Sequence, residues 1–201
     1  MTRVLVALVA VTAPLLGFAQ ATSWDLDPAH SHASFTIRHM VITNVRGEFQ
    51  KVSGTVKLDE KDVSKSSVEA TIDATSIDTR VPDRDKHLRS ADFFDVEKFP
   101  TITFKSTKVQ KAGKGLKVTG DLTMHGVTKP VVLDVEGPTA AIKDPWGKTR
   151  RGLAASTTIN RRDFGLTWGK MVEAGPVVGD EVKIEIEAEL IKQAAEKAAQ
   201  K

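Results

Sequence analysis

Three of the five histidines fall between Trp24 and His39, alongside Asp27 and Ser31. That concentration of acid, imidazole and hydroxyl groups is the first place to look for chemistry. Asp27, His30 and Ser31 are the residue types of a hydrolytic triad, but neighbours in sequence do not make triad geometry. No G-x-S-x-G elbow exists to expose and activate a serine. The plainer reading makes Asp27-Pro28 a turn and Ser31 a local cap. His30 and His32, two apart on one strand face, have a spacing that can share a metal or haem iron. A third ligand would have to come from His87, His125 or a carboxylate. No H-E-x-x-H, H-x-x-E-H or cysteine pattern supports it. The residues therefore assign no catalytic group, no metal and no cofactor, and the expectation is a protein that is not an enzyme.

Around these residues the chain is built for β-structure. From Ser31 onward Ala33, Phe35, Ile37 and His39 share one face while Ser34, Thr36 and Arg38 share the other. This period of two reads as a half-buried strand with Phe35, Ile37 and His39 inward. Val41 to Arg46 reads as a connection, and GEFQKVSGTVKLD from Gly47 as one strand bent or bulged at Gly54. Ser66 to Asp73 follows. Thr79 to Ser90 breaks the pattern and predicts about two turns of helix with Asp83 as N-cap. Ala91 to Pro100 carries Phe93, Phe94 and Phe99, poor residues to leave wet, and reads as a plug over one barrel end rather than a movable lid.

Strands resume at Thr101 to Gln110 and at Leu116 to Met124, the latter bent at Gly120. A tight His125-Gly126 turn leads to Lys129 to Val135. Lys148 to Ile159 has small residues on both faces, leaving room inside. Asn160 to Val178 is long and irregular, as functional or mobile loops are. Val182, Ile184, Ile186, Ala188 and Leu190 alternate with charged residues in the clearest one-sided strand. About eight antiparallel strands with short turns are expected, the number that closes a barrel able to hold one small ligand.

Composition narrows the setting. Residues 1–21 read as a secretory signal: Arg3, an apolar run from Val4 to Leu16, and an Ala19-Gln20-Ala21 cleavage site. Its removal would leave no stable transmembrane segment and take the formal charge from +3 to about +2. With no cysteine in 201 residues, an exported fold must rest on core burial alone. The expected location is the periplasm. Cations and acids are interspersed without an Arg-aromatic stripe, which argues against nucleic acid. Residues 192–201 read as a polar, frayed tail.

The segments WDLDPAHSHASFTIRHM, VRGEF, SIDT with RDKHLRSADFFDVEKFP, GDLTMHGVTKPV, NRRDFG and VGDEVKIEIEAEL, in that order, resemble the bacterial YceI-like polyisoprenoid-binding family. The resemblance covers roughly Trp24 to Leu190. It implies an all-β, extended eight-stranded antiparallel up-and-down barrel, lipocalin-like, with a short helical insertion, in a domain spanning 22–191. It also implies a non-catalytic binding or carrier role, with a polyisoprenoid, an isoprenoid quinone or a fatty chain as ligand. The inward parities supply the candidate lining: Phe35, Ile37, His39, Ile102, Phe104, Leu122, Met124, Leu133, Ile184 and Ile186. A packed barrel core is the alternative role for each. Arg38, Arg80, Arg84 and Arg89 are the head-group candidates because guanidinium recognises phosphate bidentately; surface pairing with nearby Asp is their alternative. A stress-protective scaffold without a tight ligand is the competing function. Two open barrel mouths could abut in a homodimer, which the residues leave open.

Overall fold

The structure is a computed structural model that describes residues 21–173 and 175–194. The expected signal up to residue 20, and the tail beyond residue 194, lie outside these described residues. Among the described residues fourteen strands and one α-helix occur in the order β1 Thr22–Leu26, β2 His32–His39, β3 Thr43–Phe49, β4 Val52–Leu58, β5 Ser67–Asp73, β6 Ile77–Asp78, α1 Pro82–Arg89, β7 Thr101–Ala112, β8 Gly115–Met124, β9 Val127–Glu136, β10 Ile142–Lys143, β11 Thr149–Asn160, β12 Met171–Val172, β13 Gly175–Pro176 and β14 Val178–Lys192.

Eight of them close a ring. Going round, β1 pairs with β4, then β5, β7, β8, β9, β11 and β14, and β14 returns to β1, every pairing antiparallel. The expected barrel is the fold. Towards one end its wall is carried on by β2 against β14, β3 against β2 and β6 against β3. β14 makes this possible: it is long enough to hold β1 near Leu190 and β2 from Glu187 down to Val178, with β11 on its other edge. Closure leaves few free edges, which suits a wall with this many exposed backbone groups.

Several local expectations change. The stretch from Gly47 is two strands separated at Gln50 and Lys51, and the first starts at Thr43 rather than Gly47. Gly54 lies in unbroken register against Ala70, with no bulge. The link to β2 is a turn at Met40 and Val41, both with left-handed φ of 49° and 64°, a conformation that neither residue type announces. Thr22–Leu26 was not expected as a strand, yet Trp24 is only 1% exposed and packs with Leu58 and Leu190. The helix begins with Pro82 in its first turn, and Val81, not Asp83, holds the N-cap position without a side-chain bond. Pro is pre-set for that place, so Asp83 moves into the first turn, where it faces the positive end of the dipole.

The His125-Gly126 turn stands as expected, with φ of 53° and 74° closing the Met124–Val127 pair. At the expected bend at Gly120 the irregularity lies in the facing strand, whose register shifts between Ser106 and Lys108. The irregular stretch after Asn160 holds a 3-10 turn, Arg161–Phe164, capped by the Asn160 side chain, and the small β12–β13 hairpin. Among the described residues no helix is long and apolar enough to cross a membrane.

Candidate functional site: an apolar cavity along the barrel

The inward parities do not fill the barrel. They surround a cavity of about 600 Å³, within the size range of small-molecule sites. Its volume comes from small residues set against large ones across the strands. Ile186 lies between Ala33 and Ala155, Phe104 pairs with Ala70, and Leu153 pairs with Ala188. The lining continues along β14 from Val182 to Leu190, roughly 27 Å along the strand. All ten expected lining residues, Phe35, Ile37, His39, Ile102, Phe104, Leu122, Met124, Leu133, Ile184 and Ile186, face this space. Most of the surrounding side chains are aliphatic or aromatic, so the interior offers dispersion contacts and few hydrogen bonds.

One end is polar. Arg38, Asp83, Arg84 and His87 reach it, with Trp168 and Arg161 beside them. Arg84 is held from behind by Thr79: its Nε donates to Thr79 Oγ1 and its Nη2 to the Thr79 carbonyl, both at 2.7 Å. Asp85, buried, accepts from the Thr79 amide at 2.9 Å and from its hydroxyl at 2.5 Å. Thr79, Arg84 and Asp85 thus form one bonded unit that anchors α1. Arg38 is exposed and donates to the Val41 carbonyl and to Asn44. The other two arginine candidates lie apart from the cavity. Arg80 is exposed on the turn into α1, and Arg89 donates to the carbonyls of Thr75 and Ile77.

Residues outside the ten lining candidates complete this end. His87, Phe93 and Trp168 form a triangle of rings with centroids 5.0 to 5.1 Å apart, and all three line the cavity. Phe94 meets Phe49 edge-on at 5.6 Å, and Phe49 meets Phe35 at 5.9 Å. The aromatic insertion therefore lies over the barrel end, although Phe99 meets His125 edge-on instead. Arg161, 3% exposed, sends its guanidinium to the carbonyls of Leu166, Trp168 and Gly179 at 2.5, 2.7 and 2.8 Å, with Asp180 at 3.0 Å. Burial lowers its pKa. The NRRDFG motif was visible, but nothing in it says that one arginine points inward to staple a loop.

The histidine-rich stretch does other work. His30 Nδ1 meets Asp27 Oδ2 at 2.9 Å, and Arg150 Nη1 meets the same carboxylate oxygen at 2.6 Å. Arg150 also bonds Asp144 at 2.6 Å and Glu189 at 2.5 Å. Asp27, His30 and Glu189 converge within metal-ligand reach of one another, but the Arg150 guanidinium already bonds both carboxylates. His32 is exposed on β2 opposite Glu187 and takes no part in that group. Ser31 is buried, its hydroxyl donating to the Glu189 carbonyl and accepting from the Glu189 amide. Asp27 and His30 form half a triad; the serine is turned to the backbone. The bond from His30, then that from Arg150, holds the Asp27 carboxyl down at about 2.

Comparison with known proteins gives the same picture. The family described as the YceI-like domain matches residues 24–190. The chain belongs to this family. A YceI protein of Salmonella newport is 41% identical over 179 residues, covering 88% of this chain and 91% of that one. A UPF0312 protein of Vibrio parahaemolyticus is 40% identical over 172 residues, covering 84% and 86%. Among solved structures, the YceI-like barrel is similar to BcnA of Burkholderia cenocepacia, with TM-score 0.70 and 26% identity, covering 82% of this chain and 98% of that one. It also shares its fold with a polyisoprenoid-binding domain from Saccharophagus degradans, with TM-score 0.62 and 17% identity over 87% and 100% of the two chains.

Proposed function

We propose that this YceI-family protein is a non-catalytic carrier that holds one long apolar chain, a polyisoprenoid, an isoprenoid quinone or a fatty chain, inside the barrel. The observation that carries the reading is the cavity itself, continuous, strand-length and apolar. Each methylene moved from water into such a space contributes about 0.8 kcal/mol. A chain burying about 400 Å² would gain on the order of 10 kcal/mol before association and ordering costs, leaving micromolar affinity or better. The binding described for the S. degradans domain agrees with a prenyl ligand. Arg38 and Arg84, at the polar end, are the groups proposed to meet a head group. The leader-like residues 1–21 support action in the periplasm.

Native mass spectrometry of protein purified from the periplasm, followed by organic extraction, tests the reading. A stoichiometric prenyl, quinone or fatty adduct is expected. Ala155→Trp, which fills the lumen at mid-height beside Ile186, should abolish it. A clean apo mass with no uptake of added prenol would overturn the carrier role in favour of a scaffold.

A further inference from the structure

Two loops beside the polar end hold apolar side chains in water. The turn between β2 and β3 exposes Val41 at 47% and Ile42 at 66%; the β12–β13 hairpin exposes Met171 at 75% and Val172 at 40%. The loops touch, since a Cβ on Gly175 would lie 3.1 Å from Val41 Cγ2. The Met40 amide also donates to the Val177 carbonyl at 2.8 Å. Val177 and Val178 in turn line the cavity, as do Arg38 and His39 at the end of β2. The exposed fringe is therefore continuous with the cavity's edge. Clustered exposed apolar groups on a soluble surface mark an interaction site.

We propose that this fringe docks on a lipid bilayer, and that the ligand passes between bilayer and cavity at that contact. The inference rests on the carrier reading. A prenyl or fatty chain crossing open water would expose every methylene, whereas a mouth seated in the interface hands it over without that exposure. The shape also fits: two adjoining tips can sink into a fluid interface, as amphipathic segments do. Charge argues for lipid over a second copy of the chain. Arg38, Arg46 and Lys170 are exposed near the fringe. Against them stand Glu173 and an Arg162–Asp180 pair at 2.7 Å. The remaining positive balance suits anionic head groups. A self-complementary dimer contact there would bring the same cations face to face.

Flotation with vesicles of phosphatidylethanolamine and phosphatidylglycerol, with the Ile42→Asp/Met171→Asp variant beside the parent, decides it. Neither residue lines the cavity, so uptake of a dispersed fluorescent fatty acid without vesicles should be unchanged, which also shows that the variant is folded. The parent should float, and the variant should bind vesicles at least about tenfold more weakly. Equal flotation of variant and parent would overturn the proposal. So would a variant that converts a dimer to a monomer while vesicle binding stays the same. Flotation that depends on Ile42 and Met171, without fatty-acid uptake by the parent, would uphold the docking surface and overturn the carrier reading alone.

Discussion

Arg161 is the side chain on which the loops at the cavity end depend. Its guanidinium holds carbonyls from residues 166, 168 and 179, and removing it would leave buried acceptors without partners, at a cost of about 1–3 kcal/mol for such a group. Arg161→Met is expected to destabilise the fold by about 3 kcal/mol, seen as a lower denaturation midpoint. Faster amide exchange across residues 166–180 should accompany it. Arg161→Lys should not rescue it, because one ammonium cannot serve carbonyls that a planar fork reaches. Asp27 is one of the carboxyls that make the fold sensitive to acid. Its folded value of about 2 lies below the ordinary 3.8, so its contribution is complete above that ordinary value. It disappears as pH falls from about 4 to about 2, and amounts to on the order of 1–2 kcal/mol. Asp144 is held down too, first by its bond to Arg150. Arg150→Met should therefore lower the melting temperature at neutral pH and flatten its fall between pH 5 and 2, because the folded carboxyls then titrate nearer their unfolded values.

At the scale of elements, β8 and the insertion around α1 shape the cavity from two sides. Gly120 shares the inward parity of Leu122 and Met124, and a Cβ there would lie 2.4 Å from Phe104 Cζ and 2.6 Å from the Lys105 carbonyl. The ring could move only into the cavity, and the backbone oxygen cannot move cheaply. Gly120→Val is expected to cost about 1–3 kcal/mol and to weaken long-chain binding, checked by denaturation and ligand titration on the same protein. Phe93, 7% exposed, closes the ring triangle with His87 and Trp168. Phe93→Ala should destabilise by about 3 kcal/mol and speed release of a bound fluorescent fatty acid in stopped-flow, because the triangle walls the polar end of the cavity. The helix was legible in RDKHLR; its start was not, because Pro82 in the first turn puts the N-cap at Val81 and not at Asp83.

For the whole molecule, a ligand that enters the barrel and binds only the folded state stabilises it by mass action. At free ligand about a hundredfold above its dissociation constant the gain is about 2.7 kcal/mol. A domain of this size should then melt roughly 5 to 10 °C higher, a shift that the lumen-filling Ala155→Trp variant should lose. The sequence by itself determined the strands and their inward faces. Strict alternation leaves one way to hide Phe35, Ile102, Leu133 and Ile184, so periodicity alone carried those residues to the barrel interior. It likewise determined that the His125-Gly126 pair would turn the chain. Only the tertiary structure decided that these faces surround open space rather than meeting in a solid core, because that depends on which strand lies opposite which. The small residues of Lys148 to Ile159, Ala155 among them, already pointed to room inside, but Ala33, Ala70 and Ala188 read as ordinary small residues until each is seen against its partner. Likewise, Arg84 and Arg161 came to the cavity while Arg80 and Arg89 did not. A guanidinium's partners are backbone carbonyls and hydroxyls whose positions exist only once the chain has folded.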